Sequence, residues 1–158
     1  MPMLPNEEQL EIKIYLKSVG LSNGKLPMYS VLIDGVVVQT GTATPDADSV
    51  FTTEIKTSLI NGDHTLAIRL LNKGIRDTKV DSEGKITEDL YLTVEKITID
   101  DIDLGFRLLE TGHYILDQKV NFNGSDIDQL PGHKYLTWNG TWSFPFSTPF
   151  YLWLLENL

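Results

Sequence analysis

The sequence contains no cysteine. Disulfide frameworks, thiolate zinc sites and cysteine nucleophiles are excluded at once. Its three histidines, His64, His113 and His133, stand alone, without the spacing that sets two imidazoles around zinc. No apolar run approaches the roughly 20 residues of a membrane-spanning helix, and a leader-type opening is not expected. No glycine-rich phosphate loop occurs: Asn23-Gly24-Lys25 and Asn61-Gly62-Asp63 have the composition of turns. No serine sits in a strand–turn–helix context of the kind that exposes a nucleophile. Basic residues are scarce, 13 Lys and Arg against 22 Asp and Glu, for a net charge of -9. Such a chain repels a phosphate backbone, so nucleic acid is not an expected partner.

What remains is a globular chain of 158 residues with 41% hydrophobic content and a mean hydropathy of -0.11. Alternation with period two dominates it. Leu10, Ile12, Ile14 and Leu16 share one face and Glu11, Lys13, Tyr15 and Lys17 the other, which predicts a half-buried strand. Asp34-Gly35 between Met28–Ile33 and Val36–Thr40 predicts a tight hairpin, because both turn positions need positive φ. Further strands are expected over Val50–Thr57 and His64–Leu70, with Asn61-Gly62-Asp63 turning between them. The longest β run, Ile86–Ile99, changes parity: Leu90, Leu92 and Val94 are followed by Ile97 and Ile99, then by Ile102 and Leu104. A parity change sends side chains to the wrong face unless a bulge absorbs it, so irregularities are expected near Glu95-Lys96 and Asp100-Asp101.

Phe106–Glu110 and Tyr151–Glu156 read as short helices, and Tyr114–Phe122 and Tyr135–Phe144 as weaker strands. Trp138-Asn139-Gly140-Thr141-Trp142 reads as a tight hairpin. Many short strands and no long amphipathic helix predict an all-β fold, an antiparallel sandwich or jelly roll. The expected organisation is an N-terminal arm at 1–9, the sandwich at 10–105, and an aromatic-rich C-terminal extension at 106–158.

Two asymmetries carry the functional clues. Nine acidic residues lie between Asp77 and Asp103, opposed by Lys79, Lys85 and Lys96. Hard cations take six to eight oxygens, so Asp77, Asp81 and Asp89 are candidate Ca2+ ligands. The spacing is not that of an EF-hand. A solvated acidic loop is a second reading, and a third is internal pairing of Lys73 or Arg76 with Asp77 or Asp89. Lys73, Arg76 and Glu95 are candidate glycan or loop contacts. Paired carboxylates also raise glycoside hydrolysis, but any acidic protein has such pairs by chance, and a non-enzyme is expected. The second asymmetry is aromatic: eight of the 15 aromatic residues lie from Tyr135 onward, all three tryptophans among them. Tyr135, Trp138, Trp142, Phe146, Phe150 and Trp153 are candidate partner-docking residues, with sugar stacking and core cover as alternatives.

From His64 to Ile99 the sequence resembles two families. Asp89-Leu90-Tyr91-Leu92-Thr93-Val94-Glu95-Lys96-Ile97 is similar to a strand of the calcium-dependent xylan-binding carbohydrate-binding modules, which has the form Asp-Arg-Asn-Leu-Tyr-Val-Asp-Tyr-Ile. Asp89 and Glu95 fall on its two Asp positions, whereas Leu90 and Tyr91 replace its Arg and Asn. Asn72-Lys73 stands where those modules have Asn-Asp, so a lysine takes a ligand's place. The resemblance covers about the central third of the chain and implies a jelly roll with a calcium loop ahead of that strand. The chain also resembles short proteins of large tailed bacteriophages, in the Gly62-Asp63-His64-Thr65-Leu66 turn, the Lys73 to Thr78 loop, Ile86-x-x-Asp89-Leu90 and the Trp138–Trp142 segment. That likeness covers most of the chain. It implies a virion structural protein of tail, fibre, neck or capsid, made in the host cytoplasm, that docks onto other virion proteins or further copies of itself. The virion structural role is the first expectation, and a module that recognises host surface polysaccharide, with Ca2+ at the Asp77–Asp89 loop, is the alternative.

Overall fold

The computed structural model describes residues 6–122, 124–131 and 135–157. Two antiparallel sheets face each other. In the first, β1 (Glu7–Val19) lies between β4 (Val50–Ile60) and β8 (Tyr91–Ile99), with β9 (Ile102–Asp103) and β12 (Tyr135–Leu136) added to β8. The second has the order β11 (Ser125–Pro131), β10 (His113–Phe122), β13 (Gly140–Thr148), β5 (Gly62–Leu70), β2 (Met28–Ile33) and β3 (Val36–Thr42). A two-stranded ribbon, β6 (Lys79–Val80) with β7 (Ile86–Glu88), and two short helices, α1 (Gly105–Leu109) and α2 (Phe150–Asn157), complete it. The all-β sandwich expected from the alternation is the fold.

Each sheet is apolar on its inner face, as a sandwich requires. The first contributes Leu10, Ile12, Ile14, Leu16, Leu92, Val94, Ile97 and Ile99, the second Val31, Leu66, Ile68, Leu70, Tyr114 and the β13 aromatics. Asp34 and Gly35, with φ of 52° and 80°, make the expected turn between β2 and β3. The break in parity on β8 is absorbed as expected. Tyr15 pairs with Lys96 and Leu16 with Val94, so Glu95 is the extra residue of a bulge and both parities of apolar residue point inward. Asp100 and Asp101, with φ of 50° and 64°, form the turn into β9.

Three expectations need correction. Residues 106–158 are not an extension of a sandwich that ends near 105. β13 is inserted between β5 and β10, pairing with β5 from Gly140–Leu70 to Thr148–Gly62. The second sheet is therefore incomplete without it. At the other end, Glu7–Gln9 of the expected arm already belong to β1, and residues 1–5 lie outside the described residues. Trp138–Trp142 is not a hairpin: β12 pairs with β8 in the first sheet, and β13 begins at Gly140 in the second. The segment crosses between sheets. Gly140 serves close approach there, since a Cβ would meet the Ile115 carbonyl oxygen at 2.5 Å. Pro145 lies beyond the part of β13 that pairs with β10, so its missing N–H leaves no ladder bond unmade on that side.

The β13 aromatics also correct the docking assignment. Trp142, Phe144 and Phe146 alternate with Ser143, Pro145 and Ser147 and are buried, as is Phe150 at the start of α2. Trp142 and Phe144 stack with centroids 6.0 Å apart. Trp142, Phe146 and Phe150 are core residues and cannot reach a partner without unfolding the sheet. Truncating such a side chain costs about 3–5 kcal/mol.

Candidate functional site

The acidic loop is the first place to look, and the structure shows its charges already engaged. Lys73 Nζ lies 2.5 Å from Asp89 Oδ1, with the two side chains only 8% and 18% exposed. Asp89 Oδ1 also accepts from the Thr78 hydroxyl and the Leu90 amide. Asp77 pairs with Lys25, brought from the β1–β2 connection, and accepts the Gly74 amide. The Lys25 ammonium and the Gly74 N–H hold the Asp77 carboxyl below its ordinary range. Asp81 Oδ1 accepts the amides of Glu83 and Lys85 in its own turn. Arg76 is exposed on the loop.

This geometry does not suit the cation that Asp77, Asp81 and Asp89 were expected to hold. Two of the three carboxylates carry a lysine ammonium, and the third caps its own turn. Among the described residues no group of three or more His, Asp or Glu side chains converges as a metal site requires. One positioning residue had no signal in the strand pattern. Asn139 donates from Nδ2 to the Lys73 carbonyl and accepts the Lys73 amide at Oδ1, both at 2.8 Å. It pairs with Lys73 as a neighbouring strand would and ties the loop to the crossing segment.

Glu95 stands apart from this saturated loop. The β8 bulge turns Glu95 and Lys96 outward together, onto the face of the first sheet that carries Tyr15 and Lys17 of β1. With Asp48 and Val50 they line a depression of about 500 Å3. Lys96 Nζ lies 5.2 Å from the centroid of the Tyr15 ring. One wall is set by the 46–49 turn, in which Asp46 Oδ1 accepts the amides of Asp48 and Val50. The Ser18 amide donates to the Ser49 carbonyl and holds that turn against β1. Among the described residues Lys17, Asp48, Glu95 and Lys96 form no salt bridge, so two ammonium and two carboxylate groups line the depression beside one aromatic ring, with Lys96 over its face. The parity break in the sequence signalled the bulge. Nothing local signalled that Asp48 and Lys17 meet it.

The remaining aromatic candidates are distributed elsewhere. Tyr135 is partly exposed on β12, Trp138 half-buried against the core, and Trp153 half-buried on α2. None lines the Tyr15 depression.

No family model matches the chain, and no curated protein is similar to it. Among solved structures it is similar to one described as vCBM60 in complex with galactobiose. The identity is 20%, the match covers 85% of this chain and 96% of that one, and the TM-score is 0.45. That neighbour is a carbohydrate-binding module and not a virion protein. At this TM-score the likeness extends to neither ligand nor site residues.

Proposed function

We propose that the protein is a non-catalytic glycan-binding module that uses the Tyr15 depression and needs no metal. The observation that carries this is the set of four charged side chains, none in a salt bridge among the described residues, that line one depression with Tyr15. A sugar ring has an apolar C–H face and a rim of hydroxyls that both donate and accept. Tyr15 offers the apolar surface, Glu95 and Asp48 accept, and Lys17 and Lys96 donate. Hydrogen bonds to charged groups are the stronger kind, and a mixed set of local net charge zero suits a neutral polyol. The depression has the size of an ordinary small-ligand site. The paired loop supports the metal-free part, since Ca2+ would have to displace two lysines from their carboxylates.

A glycan array followed by titration calorimetry tests this reading. Neutral glycans should bind, Tyr15→Ala should weaken them by roughly tenfold or more, about 1.4 kcal/mol, and EDTA should change nothing. No glycan bound, or binding indifferent to both Tyr15→Ala and Glu95→Ala, overturns it. The virion docking expected of the C-terminal aromatics loses its basis at Trp142, Phe146 and Phe150, which are core side chains.

A further inference from the structure

A second cleft, of about 470 Å3, lies where the β5–β13 pair meets α1 and α2. Asp63, Thr111, Pro145, Ser147, Trp153 and Asn157 line it, and it shares no residue with the Tyr15 depression. We propose that this cleft binds an organic primary ammonium carried on a hydroxylated ring, as in an amino sugar.

The hydrogen bonds already made in the cleft fix which groups it keeps for a ligand. The Ser147 hydroxyl donates to Asp63 Oδ1 at 2.7 Å, leaving Asp63 Oδ2 and the lone pairs of Ser147 Oγ open. The Thr111 hydroxyl donates to the Leu108 carbonyl at 2.7 Å, leaving its oxygen as an acceptor. Asn157 Nδ2 donates to the Trp153 carbonyl at 2.7 Å, leaving Oδ1. Ser147 and Thr111 thus spend their hydroxyl hydrogens, and Asn157 one of its two amide hydrogens, on the protein, and together with Asp63 they keep oxygens able to accept from a ligand. An ammonium group, with three donors and no acceptor, complements such a set.

Charge points the same way. His64 also lines the cleft, but both its ring nitrogens face acceptors, Asp34 Oδ2 and the Ile60 carbonyl, each at 2.6 Å. Whatever charge the ring carries is met by the Asp34 carboxylate. Asp63 forms no salt bridge among the described residues, and with Asp34 it gives this end of the cleft two carboxylates against one imidazole, on a chain of net charge -9. Trp153 supplies a ring for a cation or for the C–H face of a sugar. Phe150 stacks on it at 5.9 Å and Phe144 meets it edge-on at 5.9 Å, so the ring is held in place.

Titration of the full chain with D-glucosamine, N-acetyl-D-glucosamine and D-glucose, read by the NMR signal of the Trp153 indole N–H, tests the proposal. Glucosamine should shift that signal, with the two neutral sugars roughly tenfold weaker or worse. Asp63 is exposed, so Asp63→Asn should keep the melting temperature and lose most glucosamine binding. Tyr15→Ala should leave this titration unchanged, which separates the cleft from the depression proposed above. Equal response to the neutral sugars, no response to glucosamine, or full binding by Asp63→Asn overturns it.

Discussion

The two charged regions of this protein use the same residue types in opposite ways. At the loop that follows β5, Lys73 sits on Asp89 and Lys25, from the β1–β2 connection, on Asp77; the first pair is largely out of water and the second about a third exposed at its lysine. On the outer face of the first sheet, Lys17, Lys96, Asp48 and Glu95 surround Tyr15 without forming an ion pair among the described residues. Acidic residues crowd the sequence around the loop, yet Asp48 and Glu95, which form no ion pair among the described residues, lie at the sheet face. Charge density along a chain therefore says little about charge availability. A buried carboxylate must be neutralised to be tolerated, and the group that neutralises it uses up its capacity to bind.

The largest effect that would break this contrast is at Lys73. Replacing it with Met leaves Asp89 without its counter-charge, although Thr78 and the Leu90 amide still donate to it. We expect a loss of about 3 kcal/mol, at the low end for a broken buried pair, seen as a fall in melting temperature of roughly 6–12 °C. An unchanged melting temperature would mean that the pair is solvated and the loop no different from the sheet face. Asn139→Ala should come next, at about 1–3 kcal/mol, because it leaves both backbone groups of Lys73 without partners. Its measurement is hydrogen exchange, with faster exchange expected at the Lys73 amide.

Two pH effects sharpen the contrast further. Burial alone would lower the pKa of His64, but its hydrogen bonds to Asp34 and the Ile60 carbonyl outweigh that and raise it above the ordinary 6.5. A raised folded pKa contributes stability in full below the unfolded value and loses it as pH rises through the folded one. The melting temperature should therefore fall as pH climbs above 6.5, and His64→Gln should flatten that slope. Asp77 has the opposite sign. Its lowered pKa contributes above the ordinary 3.8 and is lost as pH falls below it, so the loop should fail first in acid.

The smallest stability effects belong to the sheet face. Lys96→Met and Glu95→Gln should each change stability by no more than about 0.5 kcal/mol while weakening glycan binding. A large stability loss there would show that these charges are structural after all.

Much of the fold could be read from the chain before any coordinates. Alternation marked most strands of both sheets but not β11, Asp34-Gly35 marked the tight turn, and the broken parity of Ile86–Ile99 marked the bulge and the turn that follow. The period-two pattern of Trp142, Phe144 and Phe146 was equally legible as a core strand. Aromatic richness instead drew attention to it as a docking surface. The insertion of β13 between β5 and β10 had no local signal, because pairing across some 75 residues of chain depends on which edges remain open after the nearer hairpins form. The clamp of Asn139 on Lys73 is hidden for the same reason.

Fold class, turn chemistry and the place where β8 must bulge are written in the chain, because they follow from side-chain periodicity and from φ preferences that act over a few residues. The sequence also placed Glu95 among the candidate contacts. Which charges pair, and which do not, depends on contacts between remote segments. Lys25 comes to Asp77, and Asp48 to Tyr15, from distant parts of the chain, and an ammonium neutralises whichever carboxylate the fold brings within its reach.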